Sequence, residues 1–246
     1  MEAAGLGLFM LSACVFGTLF GHPASPLARA IGRPFVLRAF MGVAMGGTAL
    51  ALVLSPWGKR SGAHLNPSFT LTFYRLGKIV GWDAGFYVLA QFLGGIAGVA
   101  VAGLVLARAL AHPAVRYVVT TGAYGSGVAF AAEFVISFGL MLAVLVLSNV
   151  PALNRFTPLA VAALVAAYIT LEAPLSGMSM NPARSFASAL PANFWEALWI
   201  YFVAPPLGML AAAECYLRLG AAPQVLCAKL HHANAARCIF HCEYPS

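Results

Sequence analysis

Charge is scarce in this chain. Only 9% of its 246 residues are Asp, Glu, Lys or Arg, and only seven are acidic. An average soluble domain carries roughly 25% charged residues. With 61% of its residues apolar or aromatic, a chain of this size cannot hide its apolar surface inside one water-facing core. A soluble domain, a nucleic-acid binder and a disordered protein are therefore excluded, and a membrane protein is the class that remains. Runs of basic residues are absent as well: the fourteen Lys and Arg are scattered, with Lys59-Arg60 the one adjacent pair, and form no nucleic-acid patch. The first apolar stretch has Glu2 and no basic residue before it, so a removable secretory signal is not expected. Cysteine is sparse and odd in number, at five. Cys14 and Cys215 lie in apolar segments and Cys227, Cys238 and Cys242 near the C-terminus, which is no secreted disulfide framework.

Long apolar runs fill the space that charge leaves. They cover 3–20, 36–54, 86–110, 128–150, 158–175 and 195–217, each close to the ~17–25 residues that span a bilayer as a helix. Their interiors hold few charges, because an ionised group at mid-bilayer costs about 2.5–3.5 kcal/mol even on lenient scales. Six spans put both termini on one side. Two further stretches, 65–76 and 180–190, are too short to span and read as re-entrant half-helices. Each holds an Asn-Pro pair near its start, Asn66-Pro67 and Asn181-Pro182. Asn is a favoured N-cap and Pro is tolerated at the first helical position.

The chain repeats itself. Residues 1–111 read Glu2, span, span, Asn-Pro segment, span, and residues 128–218 read Glu133, span, span, Asn-Pro segment, span. Three spans per repeat insert the second repeat upside down, and paired broken helices in inverted repeats point to a solute pathway at the midplane. The predicted fold is all-α and integral to the membrane: six spans and two half-helices in an inverted 3+3 repeat. With the N-terminus inside, all three lysines, Lys59, Lys78 and Lys229, fall on the inner face, the arrangement the positive-inside rule favours. Glu2 and Glu133 are expected to accept hydrogen bonds from unpaired backbone N–H groups.

The motifs Ser61-Gly62-Ala63-His64-Leu65-Asn66-Pro67-Ser68 and Asn181-Pro182-Ala183-Arg184-Ser185 resemble those of the aquaporin and glycerol-facilitator family. Supporting matches are Glu2, Gly5, Ala90-Gln91, Gly94-Gly95, Glu133, Pro206 and Gly208, and the resemblance covers about residues 1–218. It implies a passive pore for water or small neutral solutes in a cell membrane, with both termini cytoplasmic, usually assembled as a homotetramer. Ser68 stands where the family usually has Ala.

If the half-helices meet end to end, their N-termini place roughly +0.5 charge each at the midplane. The Asn66 and Asn181 amides then donate to a passing oxygen and interrupt proton conduction; the alternative is that both are simply N-caps. Arg184, one turn into the second half-helix, is expected to face the outer half of the pore and repel cations, unless it snorkels to the surface. Ungapped alignment to the family pattern implies Gly46, Ile169 and Met178 as the other filter residues. That combination is wider and more apolar than a strict water filter and suits glycerol, urea or metalloid-hydroxide solutes. Alternatively Gly46 packs against a neighbouring helix and Phe40 or Met41 fills the gap. His64 and Glu172 are candidates for the pore mouths, with loop bracing and simple surface exposure as their alternatives.

Residues 219–246 form a separate Cys/His-rich tail, expected on the cytoplasmic side. It reads Cys227-x3-His231-His232-x5-Cys238-x2-His241-Cys242. Cys and His suit zinc, and on a helix the i, i+4 pairs Cys227/His231 and Cys238/Cys242 would share a face. A disordered or palmitoylated tail is the alternative. A strict water channel and a coupled secondary transporter are the other functional readings. An enzyme is not expected, since no nucleophile–base set is visible, and transport needs no cofactor. The short stretch before the first span suggests a compact bacterial chain in the inner membrane.

Overall fold

The computed structural model describes residues 1–218, 224–232 and 234–244, so the expected boundary after residue 218 adjoins residues outside this set. Six long apolar helices dominate: α1 (Glu2–Gly21), α2 (Pro34–Leu54), α4 (Gly81–Leu106), α5 (Ser126–Ser148), α6 (Thr157–Leu171) and α8 (Leu198–Arg218). Between them lie the half-helices α3 (Pro67–Arg75) and α7 (Pro182–Ala192). With the helical turn Asn154–Phe156 counted into α6, the six have stretches of mean hydropathy between 1.3 and 2.4, long and apolar enough to cross a membrane. Among the described residues there is no strand.

Glycine sets how closely the long helices approach. In the first repeat α1 packs along α4, and in the second α5 packs along α8. A Cβ on Gly98 would lie 2.1 Å from the Gly7 carbonyl oxygen, and one on Gly208 2.4 Å from that of Phe134. Only a residue without a side chain permits such contact, the usual device for packing helices in lipid. The third close pair, α2 with α6, joins the two repeats. Each half-helix also packs across the repeats, α3 against α8 and α7 against α4. The outward faces are apolar, with Val43 68%, Leu104 85% and Leu171 68% exposed. In water such a surface would aggregate; it belongs against lipid or another apolar chain.

The described part of the tail has no helix. It lies on the face that holds the start of α1 and the ends of α2, α5 and α8. Its attachments there include the Lys78–Glu243 ion pair at 2.6 Å, the Leu226 N–H donating to Asn149 Oδ1 at 2.6 Å, and the Tyr244 hydroxyl donating to the Ser148 carbonyl.

Candidate functional site

Each half-helix begins as its sequence predicts. Asn66 and Asn181 are N-caps in extended conformation with proline following. Their side-chain oxygens accept from Ser68 N at 2.8 Å and Arg184 N at 3.1 Å. The amide nitrogens reach across the repeats: Asn66 Nδ2 donates to the Met180 carbonyl at 2.7 Å, and Asn181 Nδ2 to the Leu65 carbonyl at 2.8 Å. An amide NH2 has two N–H bonds, so each Asn keeps one donor beyond this clamp.

The loops feeding the half-helices have matching backbones. Gly62 (φ +83°) corresponds to Gly177 (φ +85°), Ala63 (+54°) to Met178 (+49°) and Leu65 (+49°) to Met180 (+56°). Left-handed residues other than glycine are costly and persist only where the surroundings hold them. A carboxylate does this in each repeat. Glu2 accepts from Ser61 Oγ (2.7 Å), Leu65 N (2.6 Å) and Gln91 Nε2 (2.7 Å). Glu133 accepts from Ser176 Oγ, Ser179 N and Met180 N, all at 2.7 Å. Hydrogen bonds to an ionised acceptor are about twice as strong as neutral ones.

Between the half-helices runs a cavity of about 250 Å³. Asn66, Asn181, Arg184 and His64 line it, together with Ile169 and Met178. From α2 the lining residues are Arg38, Met41, Met45, Ala49 and Val53. Arg184 is half-buried among the half-helix residues, and its Nη1 is buried and finds no protein partner. His64 is buried and held on both ring nitrogens, 3.1 Å from Thr70 Oγ1 and 2.9 Å from the Ala228 carbonyl. Pro67, Ser68, Pro182 and Ala183 are buried in the half-helix starts. The Ser68 hydroxyl has no hydrogen-bond partner.

Three expected positions are corrected by this geometry. Gly46 does not line the cavity; it is buried where α2 meets α6, and a Cβ there would stand 2.5 Å from the Ala162 carbonyl oxygen. Met41 and Met45 take the lumen side of α2, and the spacing of 38, 41, 45, 49 and 53 is the helical period that would have found them. Glu172 is not at the pore mouth either. It caps the C-terminus of α6, is 8% exposed and lies outside the lining. Burial pushes its carboxyl up to about 7.

The third correction concerns the tail. The ligand atoms of Cys227, His232, Cys238 and Cys242 all lie within 4.8 Å of one another. His231 is not of this group; the tail is not helical there, so the i, i+4 spacing does not place it beside Cys227, and its neighbour His232 turns in instead. His232 Nε2 is 3.0 Å from Cys242 Sγ, and the Cys227 and Cys238 sulfurs are 3.3 Å apart. Their contact holds the Cys238 thiol below the ordinary thiol range and raises that of Cys227, so the pair gives up its two protons in separate steps.

Six apolar helices, two half-helices meeting at their N-termini and a lumen between them define a multi-pass membrane protein of the inverted-repeat, broken-helix class. The sequence pattern described as Major intrinsic protein matches residues 3–216, and the chain belongs to that family. Among its relatives, Aquaporin NIP6-1 of Arabidopsis thaliana is 36% identical over 174 residues, 70% of this chain and 55% of that protein. Aquaporin NIP3-1 of Oryza sativa subsp. japonica is 36% identical over 181 residues, 72% of this chain and 56% of that protein. The chain thus spans a little over half the length of these curated relatives. The crystal structure of the aquaglyceroporin from Plasmodium falciparum has the same fold. Its TM-score is 0.70 at 19% identity, covering 89% of this chain and 93% of that one. The curated relatives named here are plant proteins, which removes the support for assigning a bacterial inner membrane.

Proposed function

We propose that the chain is a passive channel for small neutral solutes of the glycerol, urea or metalloid-hydroxide type, and for water, and that it excludes protons and ions. One observation carries the reading: the lumen is lined by apolar side chains with Asn66, Asn181, Ser179, His64 and two arginines, and there is no carboxylate among the lining residues. Coupling to protons or sodium ordinarily requires an ionisable group at the substrate site; Arg184 and Arg38 stay charged, and both ring nitrogens of His64 are engaged, by Thr70 Oγ1 and the Ala228 carbonyl. Met41, Ile169 and Met178 offer a solute's carbon side an apolar wall, while Arg184 and the free Asn donors meet its hydroxyls. The half-helix ends and Arg184 put fixed positive charge on the path of a cation. The names of the relatives, aquaporins and an aquaglyceroporin, support the same reading.

Both termini are read as cytoplasmic, and residues 1–218 as the channel, with a 219–246 tail, working as a homotetramer. In the tail, Cys227, His232, Cys238 and Cys242 are read as a tetrahedral zinc site. Zinc–sulfur bonds near 2.3 Å require sulfurs roughly 3.5–4 Å apart, a small adjustment of the present cluster.

The deciding experiment is stopped-flow light scattering on proteoliposomes challenged in turn with water, glycerol, urea and a neutral metalloid acid. Each solute should equilibrate down its gradient at a rate indifferent to a protonophore. Accumulation above equilibrium that collapses with the protonophore would establish a coupled transporter instead.

A further inference from the structure

The tail does more than hold a cluster of ligands: it reaches the lumen. Leu230 is one of the cavity-lining residues, and its backbone N–H donates to the Gly62 carbonyl at 3.2 Å. Two positions earlier, the Ala228 carbonyl meets His64 Nε2 at 2.9 Å. Phe240 stacks on a face of the same imidazole, with ring centroids 5.4 Å apart and planes 8° from parallel. Ala228 and Leu230 are 0% and 3% exposed. The tail therefore occupies the mouth on the side where Asn66 and His64 enter, the face that carries the N-terminus.

We propose that this tail is a plug for the cytoplasmic mouth, fastened by a thiophilic divalent cation, Zn2+, bound to Cys227, His232, Cys238 and Cys242. The inference rests on the zinc reading of that cluster given above. The ligands bracket the segment that lines the lumen through Leu230 and the segment that stacks on His64 through Phe240. Cys227 and His232 stand either side of 228–230, and Cys238 and Cys242 either side of Phe240. One ion would tie both segments into a single unit. Without it they are joined by single hydrogen bonds, including those from Lys229 Nζ to Asn234 Oδ1 and to the Ala236 carbonyl, and the described tail has no helix or strand. The backbone bonds tying it down include Leu230 N to Gly62 O, His241 N to Lys78 O and Glu243 N to Leu226 O. Ordering a short irregular segment costs roughly 1–2 kcal/mol per residue of backbone entropy, and metal ligation is a known source of the opposing free energy. Binding displaces the remaining thiol protons to solvent and leaves three thiolates and one neutral imidazole on the ion. An ion that binds only the docked tail shifts the mouth towards closed, and its removal shifts it towards open.

The test uses reduced, full-length protein in proteoliposomes, with zinc or a membrane-permeant chelator on both faces. Zinc content is measured by elemental analysis and glycerol entry by light scattering on the same preparation. The expected result is near-stoichiometric zinc per chain and glycerol entry several-fold faster after stripping, reversed by zinc. The double variant Cys238→Ser, Cys242→Ser should carry no zinc and be fast with or without it. Leu230→Ala should keep its zinc and still be fast, because it shortens the plug without touching a ligand. Zinc bound with glycerol entry unchanged by stripping overturns the plug and leaves the metal site standing. A chain that conducts glycerol but takes up no zinc when reduced, or that loses two thiols to a Cys227–Cys238 disulfide in place of metal, overturns the fastening ion. Glycerol entry absent in stripped protein and in both variants overturns the channel reading itself.

Discussion

Gly46 and Met41 lie five residues apart on one helix and answer to different surroundings. Gly46 is closed in by the Ala162 carbonyl and the Ala166 side chain of α6, so a side chain there has no free volume. Gly46→Phe should drive α2 and α6 apart at a cost of about 1–3 kcal/mol or more, seen as a lowered melting temperature or as aggregation in detergent. Met41→Trp places its added bulk in the lumen. It should fold normally and lose glycerol entry while keeping part of its water flux. Glu172 gives a prediction in pH. Its carboxyl is raised by burial from an ordinary 4.5 to about 7. The unfolded chain therefore loses the proton first as pH rises, and the folded state loses stability relative to it between those two values. Thermal stability in detergent should fall from about pH 5 to about pH 7.5, and Glu172→Gln should flatten that fall. An equal pH dependence in wild type and variant would mean that the carboxyl titrates in its ordinary range.

At the scale of elements, the half-helices and their capping were readable in the sequence because the signal is local. An Asn-Pro pair near the start of a short, largely apolar stretch (65–76 or 180–190) states where a short helix starts and that it is too short to span. The facing of α2 was not readable by counting back from Asn66. That count crosses Ser55 and a separate short helix, Pro56–Ser61, whose length no local rule sets, so the register slipped from the Met41 and Met45 side to the Gly46 side. The tail failed for a related reason: without a regular helix, sequence spacing says nothing about which of two adjacent histidines turns inward. Arg184, by contrast, is one turn from a cap that fixes α7, and it is among the cavity-lining residues. Arg184→Ala should leave solute entry equal or faster and admit a proton or cation leak, measured as dye-reported pH decay in proteoliposomes. No leak and an unaltered solute profile in folded protein would take Arg184 out of the ion barrier.

For the whole molecule, the apolar outward faces show where lipid or sister chains sit. Light scattering of the purified protein, corrected for bound detergent, should give four chains per particle, and a single chain would overturn the tetramer. The six spans and their inverted order were readable because hydropathy and length report them directly. The lumen was not, since it arises only when two distant segments meet. That meeting has a consequence for synthesis. Asn66 donates to the carbonyl of Met180, and Asn181 to the carbonyl of Leu65. Each cap is finished by a residue more than a hundred positions away. Until the second repeat has been made, the α3 entrance has no Met180 carbonyl to close on and the Asn66 amide lacks this acceptor. Neither repeat can reach its final form alone, and closing the two latches is a late, joint event in biogenesis. The two repeats made as separate polypeptides should each be degraded in the cell and be rescued only when made together.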